Sequence, residues 1–329
     1  MEKHKESWKD RETRFSAFVA GPLQRFWRQR QEKNFTSHDG KLLGYVSVVG
    51  EQRQKLIVIA PGRGESYLKY AEVLYDLFYC GYDLLVIDHR GQGVSERMLE
   101  DNQRGHVERF SDYVDDLQQL CQLENIEHRW SQRFLLAHSM GGAIASLLCI
   151  RQPRLFHRTA LLAPMLGIAL PVPEWVAKRI LGWTEDHIQF RDSFALGTGR
   201  WIATPFALNN VTHSRLRYKR NIQLCSDAPS LKLGGPSAHW VKEAMDVGKQ
   251  ILEHAALFTT PLLVLQAEDD VVVDNQSQRD FCQQMVDLGN PILYGHPFLL
   301  HGARHEILFE TDMIRSKALM QVVDFFDAD

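Results

Sequence analysis

The chain has 329 residues, of which 44% are hydrophobic and 24% charged, and its formal net charge is −3. This is the composition of an ordinary globular protein that is long enough to bury a large core, and it excludes disordered, collagen-like and coiled-coil proteins. The slightly acidic balance argues against general nucleic-acid binding.

Residues 1–33, called the N-terminal segment below, are basic and amphipathic. They hold nine Lys or Arg against five Asp or Glu. The pattern predicts either an interfacial helix on a membrane or a helix docked on the protein core. Gly21 and Pro22 should kink or break this helix. Its apolar residues recur near helical spacing at Phe15, Phe18, Val19, Leu23, Phe26 and Trp27.

From residue 34 onward, short apolar runs alternate with helical patterns. The first pair predicts an antiparallel edge hairpin, 34–38 with 42–49. The later runs predict strands at 55–60, 83–88, 133–138, 159–163, 261–266 and 291–300. Helices are predicted at 66–80, 110–123, 140–151, 275–288 and 311–326. This alternation predicts an α/β protein with a mostly parallel, doubly wound sheet.

Residues 165–254, called the insertion below, interrupt that alternation and are basic, with eleven Lys or Arg against eight Asp or Glu. The core is therefore predicted to be discontinuous, comprising 34–164 and 255–329. Apolar residues follow near-helical spacing at Trp175, Val176, Ile180, Leu181 and Trp183. They either pack on the core or form an acyl-chain tunnel and a lipid-facing patch. The cluster of Arg215, Arg217, Lys219 and Arg220 fits either a phosphate or anionic bilayer or a solvated face.

The sharpest chemical signal is AHSMGG at 137–142, where a strand meets a helix. Small residues two before and two after Ser139 permit the tight, strained turn that lifts a nucleophilic serine clear of a sheet. The helix start adds free N–H groups beside it. The pattern predicts Ser139 as a nucleophile, and an ordinary Gly-rich turn is the alternative.

An activated serine needs a base and an acid that orients the base, in the chain order Ser, acid, His for this type of turn. Two later loops follow strands and should lie at the same sheet edge. In the first, Asp270 is favoured because it precedes an apolar run, and Asp269 is the alternative. In the second, His305 is favoured because it follows a Gly-Ala turn, whereas His301 still belongs to the strand end.

These residues predict acyl transfer. His305 would take the proton of Ser139, and Asp270 would hold the imidazole tautomer. The oxyanion would need two backbone N–H donors. They are predicted to be Met140, at the helix start, and Arg63, whose loop is flexible because glycines flank it on both sides. His106 is predicted to be structural.

Together the motifs resemble serine hydrolases of the α/β-hydrolase fold, and within them the monoacylglycerol lipase and lysophospholipase group. The matching strings are PGRGE at 61–65, DHRGQG at 88–93, HSMGG at 138–142, GGPS at 234–237 with Trp240, the Asp270 loop and GARH at 302–305. The string RGHV at 104–107 looks closest to bacterial lysophospholipases that associate with the inner membrane. Two positions depart from the group. It usually begins the first loop with His-Gly, where this chain has Ala60-Pro61-Gly62, and it usually has Gly where this chain has Ala137.

The resemblance selects Asp270 over Asp269, and it implies that the insertion is a mainly helical cap. It also implies a cofactor-free serine carboxylic-ester hydrolase that releases a fatty acid from single-chain lipids, with lysophospholipids as the first choice of substrate. The alternatives are a monoacylglycerol lipase or a general carboxylesterase on the same scaffold, with acyl transfer as a further outcome, and, more remotely, a peptidase or a binding module.

Five scattered cysteines, the lack of CxxC and HExxH motifs and the lack of a secretory signal predict a cytoplasmic protein with reduced thiols and no metal. No apolar run reaches the roughly 18 residues of a membrane span. The two basic regions suggest peripheral contact with the anionic inner face of the cell membrane.

Overall fold

The computed structural model describes residues 2–169 and 172–328. Eight strands form one sheet in the order β1-β2-β4-β3-β5-β6-β7-β8. They are β1 Gln31–Thr36, β2 Leu42–Val48, β3 Lys55–Ala60, β4 Asp83–Ile87, β5 Gln132–His138, β6 Arg158–Leu162, β7 Leu262–Ala267 and β8 Phe298–Leu300. β2 pairs antiparallel with β1 and β4, and the remaining pairs are parallel. The predicted, mostly parallel sheet is confirmed, and β1 and β8 form its two edges.

The longer helices are α1 Ala71–Tyr79, α2 Phe110–Leu123, α3 Met140–Arg151, α4 Glu174–Glu185, α5 Arg215–Asp227, α6 Ala238–Glu253, α7 Asn275–Asp287 and α8 Asp312–Asp327. Helices α1 and α8 share one face of the sheet, where Arg315 of α8 binds Asp76 of α1 at 2.6 Å. Helices α2, α3 and α7 lie on the opposite face, where α6 contacts all three. Helical layers on both faces explain why the central strands are continuous apolar runs.

One predicted strand is mostly wrong. Of the run 291–300, only β8 is a strand, and Leu293–Gly295 forms a 3-10 turn instead. Tyr294 and Gly295 both adopt positive φ, 68° and 70°, which no β-strand accommodates. Helix α1 also begins later than predicted, at Ala71, because residues 66–70 form turns that carry side chains into the sheet edge.

The apolar side of the N-terminal segment is docked on the core. Trp8, Leu23 and Phe26 are buried, and the Phe26 ring lies 5.5 Å from that of Tyr75 on α1. Pro22 does not break the chain of helical turns, because Val19–Leu23 forms a π-helical turn there. Of the two interpretations of this segment, the structure therefore has the docked helix. Its shorter helices are Glu2–Glu6, Arg11–Arg14, Phe15–Phe18, Val19–Leu23 and Gln24–Trp27.

A buried ion cluster fastens this segment to α1, α5 and α8. Arg11 binds Asp76 at 2.6 and 2.7 Å, and Arg217 of α5 binds Glu72 at 2.9 Å and Asp312 at 2.6 Å. Burial alone would raise the pKa of Glu72, but the surrounding guanidinium groups outweigh burial and lower it to about 2. The interpretation of Arg217 as part of a surface basic cluster is wrong, because its guanidinium is buried and binds acids inside the protein.

The insertion is mainly helical and holds α4, α5 and α6 with the shorter helices Ile188–Arg191, Phe206–Leu208 and Pro229–Leu231. On α4, Trp175 and Trp183 are 71% and 52% exposed, so these aromatic side chains do not pack on the core. Helix α6, in contrast, contacts α2 and α3 with buried residues such as Val247 and Ile251. None of the helices in the described part of the chain is both long enough and apolar enough to cross a bilayer.

Candidate active site

Ser139 lies in the sharp turn between β5 and α3. Its φ of 54° and ψ of −121° belong to a conformation that L-residues rarely adopt, so the turn is strained. Its backbone N–H donates to Leu162 O at 3.0 Å, which ties the turn to β6. A Cβ on Gly141 would lie 2.0 Å from Ala60 O, so the small residue two positions after the serine lets α3 approach the end of β3. This matches the steric reason for which the sequence predicted the turn.

The three predicted side chains Ser139, His305 and Asp270 come together at the carboxyl ends of the parallel strands. His305 Nε2 lies 2.8 Å from Ser139 Oγ, and His305 Nδ1 lies 2.7 Å from Asp270 Oδ2. The other oxygen of Asp270 accepts hydrogen bonds from Val272 N at 2.8 Å and Val273 N at 3.2 Å. This geometry allows the imidazole to remove the hydroxyl proton while the carboxylate orients the ring.

The buried position of Asp270 by itself would raise its pKa. The hydrogen bond and charge of His305 outweigh burial, and the two backbone N–H donors add to them, so the pKa of Asp270 stays below its usual value. The carboxylate of Asp270 therefore favours its ionised form, which can stabilise a proton on His305.

The rival residues of the two loops lie elsewhere. His301 Nδ1 lies 3.1 Å from Glu268 Oε1 at the exposed surface, and Gly302 N donates to the same carboxylate at 2.8 Å. Asp269 uses its backbone N–H to bond Ala303 O at 2.9 Å, which holds the two loops together. Among the described residues, neither His301 nor Asp269 has a hydrogen bond with Ser139 or His305.

The predicted oxyanion donors lie on either side of Ser139. Met140 is the first residue of α3, so its N–H has no acceptor within the helix. In the loop after β3, Gly62 N donates to Glu65 Oε2 at 2.6 Å and Gly64 N donates to Gln92 Oε1 at 3.1 Å. Among the contacts of the described residues, no acceptor takes the N–H of Arg63, which lies between them.

Gly62 brings this loop against Ser139. A Cβ on Gly62 would lie 3.1 Å from Ser139 Cβ and 3.0 Å from His138 Nδ1, closer than side chains normally approach. A residue larger than glycine would push the loop away from Ser139, and the N–H of Arg63 with it. The related group usually begins this loop with His-Gly, whereas this chain has Pro61 before Gly62. The loop still approaches Ser139 closely.

A buried polar network next to these three residues was not predicted from the sequence. Glu65 Oε2 accepts from Tyr70 Oη at 2.7 Å and lies 3.2 Å from His138 Nδ1, while His138 Nε2 lies 3.0 Å from the backbone O of His305. Glu65 thus connects the Gly62 loop to the segment that carries His305. The available signal was sequence adjacency: Glu65 closes the PGRGE string and His138 precedes Ser139.

The charges of this network are mutually compensated. Burial would raise the pKa of Glu65, but the charges of Lys69 and His138 hold it well below its usual value. Burial would lower the pKa of His138, but the Glu65 carboxylate keeps it raised. Lys69 also binds Glu306 at 2.7 Å, next to His305 in the chain. An ionised network of this kind stiffens the loops that carry the reacting groups.

The string GGPS at 234–237 and the string RGHV at 104–107 meet at the joint between insertion and core. Gly105 N donates to Gly235 O at 3.0 Å and Ser237 N donates to Gly105 O at 2.7 Å. His106 Nδ1 lies 2.9 Å from Ser237 Oγ, in keeping with the predicted structural role of this histidine. The two strings therefore fasten the insertion to the core beside the candidate site.

Comparison with known proteins places the chain in a family. Residues 51–312 match the model of the family described as serine aminopeptidase, S33. The chain is 49% identical to Lysophospholipase L2 of Escherichia coli strain K12 over 327 residues, covering 99% of this chain and 96% of that protein. It is 36% identical to Monoglyceride lipase of Homo sapiens over 224 residues, covering 67% of each.

A solved structure supports the fold. A soluble variant of monoglyceride lipase from Saccharomyces cerevisiae, in complex with a substrate analogue, aligns with a TM-score of 0.67 at 18% identity. The alignment covers 90% of this chain and 94% of that chain. The α/β-hydrolase fold expected from the motifs is thus confirmed.

Proposed function

Because the chain belongs to the serine aminopeptidase S33 family of α/β-hydrolases, we propose that it releases a fatty acid from lysophospholipids. The observation that carries this proposal is the continuous contact from Asp270 through His305 to Ser139, at 2.7 and 2.8 Å. Such a chain of contacts serves acyl transfer. The substrate class comes from the 49% identity, over nearly the full length, to a protein named Lysophospholipase L2.

In the proposed reaction, Ser139 Oγ attacks the ester carbonyl carbon as His305 Nε2 takes its proton. The N–H groups of Arg63 and Met140 donate to the oxyanion, each worth about 3 kcal/mol of barrier. The ester C–O bond then breaks, and His305 gives its proton to the leaving glycerol oxygen. Water, activated by the same imidazole, releases the fatty acid from Ser139. Asp270 stays ionised throughout and holds the ring.

We further propose that residues 165–254 act as a cap over a core of 34–164 and 255–329, preceded by the N-terminal segment 1–33. The exposed Trp175 and Trp183 on α4 support contact with lipid surfaces. The protein would act in the cytoplasm as a peripheral enzyme at the inner face of the cell membrane, drawing single-chain lipids from the bilayer. Its basic side chains outside the buried ion cluster would face the anionic lipids.

A second candidate is monoacylglycerol hydrolysis on the same site. It is favoured by the 36% identity to a human protein named Monoglyceride lipase, although that match covers only 67% of each chain. The two candidates use the same chemistry at the ester and differ only in the group attached to the third glycerol carbon.

The test measures free fatty acid released from lysophosphatidylethanolamine and from a monoacylglycerol with the same acyl chain. Wild type should release fatty acid from the lysophospholipid, and Ser139→Ala, His305→Ala and Asp270→Asn should each lose activity by about 10⁴-fold or more. Asp269→Asn is the matched control and should keep wild-type activity. If wild type releases no more fatty acid than Ser139→Ala from either lipid, the proposed function is wrong.

A further inference from the structure

Arg63 is partly buried at the joint between core and insertion, and no carboxylate of the described residues binds its guanidinium. Its Nη2 donates to Gly234 O at 2.6 Å, and its Cζ lies 5.3 Å from the centre of the Trp240 ring. Nε is buried and has no acceptor among the residues that the structure describes. A bound anion would stabilise a cation in such surroundings.

Two fully buried arginines of this protein, Arg90 and Arg217, lie between acids. Arg90 binds Asp116 at 2.6 and 2.7 Å and Asp39 at 2.9 Å, and Arg217 binds Glu72 and Asp312. Within residues 2–169 and 172–328, no Asp or Glu oxygen is found within 4.0 Å of an Arg63 nitrogen. The Arg63 site thus lacks the carboxylate partners that Arg90 and Arg217 have.

The surroundings of Arg63 also disfavour its charge. Burial lowers the pKa of this guanidinium to about 10, and the opposing contribution comes from the Tyr113 phenol rather than from a carboxylate. The group is still charged at neutral pH. A bound anion would restore the pKa toward its usual value, and by linkage the charge of Arg63 would strengthen binding of the anion.

Position relates this cation to the reacting ester. The backbone N–H of Arg63 is the proposed oxyanion donor, so the guanidinium lies one arginine side chain away from the ester carbonyl. Gly105 leaves room for it, since a Cβ there would lie 2.4 Å from Nη2 and 3.1 Å from Cζ. In a lysophospholipid, the glycerol carbons and two ester oxygens separate the acyl carbonyl from phosphorus, a span that an arginine side chain matches.

We propose that Arg63 binds the phosphodiester of the lysophospholipid head group and so determines the preference for phospholipids over neutral glycerides. This inference rests on the proposed function and goes beyond it by naming the residue that recognises the head group. Nη1 has no acceptor among the described residues and is a donor available to an oxyanion. Arginine binds phosphate through paired N–H groups, and Nη1 can pair with the second N–H of Nη2. A monoacylglycerol carries no anion to meet them.

The test compares the kcat/KM of lysophosphatidylethanolamine with that of the monoacylglycerol of the same acyl chain, in identical mixed micelles. Arg63→Met should lower the ratio of the two kcat/KM values by about tenfold or more, because a charge-assisted contact is lost for one substrate alone. The ratio cancels any effect on the backbone N–H, which both substrates share. Arg63→Lys, which keeps the charge without the paired donors, should give an intermediate ratio.

Arg97→Met is the matched control. Arg97 also spans the joint between core and insertion, but each of its donor nitrogens has a carbonyl acceptor. Nε donates to Asn102 O at 3.0 Å, Nη1 to Ser95 O at 3.1 Å, and Nη2 to Ser230 O. Its replacement should leave the substrate ratio within about threefold of wild type. An equal fall in the Arg97→Met ratio would mean that loosening of the joint, rather than phosphate binding, causes the effect.

A second measurement needs no lipid turnover. Glycerophosphoethanolamine should inhibit hydrolysis of a neutral p-nitrophenyl ester by wild type, and its inhibition constant should rise about tenfold in Arg63→Met. Inorganic phosphate should inhibit less, since it lacks the glycerol linked to the ester site. An unchanged ratio together with an unchanged inhibition constant would overturn the proposal, as would inhibition by inorganic phosphate alone. A wild type inactive on both lipids would instead overturn the proposed function.

Discussion

The N-terminal segment and helix α4 of the insertion have the same kind of sequence, yet their aromatic side chains lie in opposite surroundings. Both are amphipathic and lie in basic regions of the chain. Phe26 is 1% exposed and packs on the aromatic residues of α1, whereas Trp175 is 71% exposed. The difference shows that an amphipathic pattern identifies an apolar face without identifying what covers it.

Electrostatics explain which face is covered. The N-terminal segment contributes Arg11 to a site where Asp76 and Glu72 on α1 would otherwise be two buried acids held by fewer cations. Among the residues that the structure describes, no ion pair links helix α4 to α1 or α8, and its Lys178–Glu174 pair is exposed. Docking of the N-terminal segment therefore stabilises the core, while the outer face of α4 is left to a lipid surface in the proposed function.

The largest effect should come from removing a ring on the covered face. Phe26→Ala leaves a cavity against α1 and should lower the free energy of unfolding by about 3–5 kcal/mol. Trp175→Ala removes a ring that is already in solvent and should leave it nearly unchanged. Urea unfolding of both variants measures the difference. Equal losses would mean that α4 is packed as tightly as the N-terminal segment.

A smaller loss should follow from removing the buried cation. Arg11→Met leaves Asp76 with Arg315 but without its second guanidinium, and should lower the free energy of unfolding by about 3 kcal/mol. Arg14, three residues on, forms an exposed pair with Asp10, so Arg14→Met is the control and should have no measurable effect. Thermal unfolding at pH 7 compares the two variants, and similar melting temperatures for them would contradict the anchoring role of Arg11.

The same cluster should make stability depend on acid pH. The folded-state pKa values of Glu72 and Asp76 lie below their usual values of 4.5 and 3.8. Their stabilising contribution is therefore fully present above pH 4.5 and is lost as the pH falls toward the folded-state pKa values. As the pH is lowered from 4.5, the melting temperature of wild type should fall. The melting temperature of Arg11→Met should fall less steeply. Parallel curves for the two proteins would show that other acids cause the fall.

The smallest effect should concern the uncovered face. Trp175→Ala/Trp183→Ala should weaken co-sedimentation with anionic vesicles by roughly fivefold, about 1 kcal/mol of apolar transfer. Turnover of a short, water-soluble ester should stay at the wild-type rate, because both rings lie largely in solvent. Leu123→Ala, also at an exposed apolar residue, is the control. Unchanged vesicle binding in the double variant would remove α4 from the proposed lipid contact.

Much of the core could be predicted because its strands and helices satisfy a local rule. Runs such as LIVIA at 56–60 can only be buried strands, and α2 and α3 begin and end at the predicted residues. The bounds of β8 could not be predicted in this way. The run 291–300 that contains it is apolar enough to predict a strand over all ten residues. Its first half is turned aside by the positive φ of Tyr294 and Gly295, which hydrophobicity does not report.

The sequence by itself determined that a strained turn presents Ser139 and that a histidine and an acid follow in later loops, because these depend on neighbouring residues and chain order. Only the tertiary structure decided that Glu65 and His138 support that arrangement. It also decided that Arg217 is buried among acids, whereas Arg63 has no acid as a partner among the described residues. Each of these depends on which distant charges share one low-dielectric space. Folding, rather than the spacing of residues along the chain, sets that proximity.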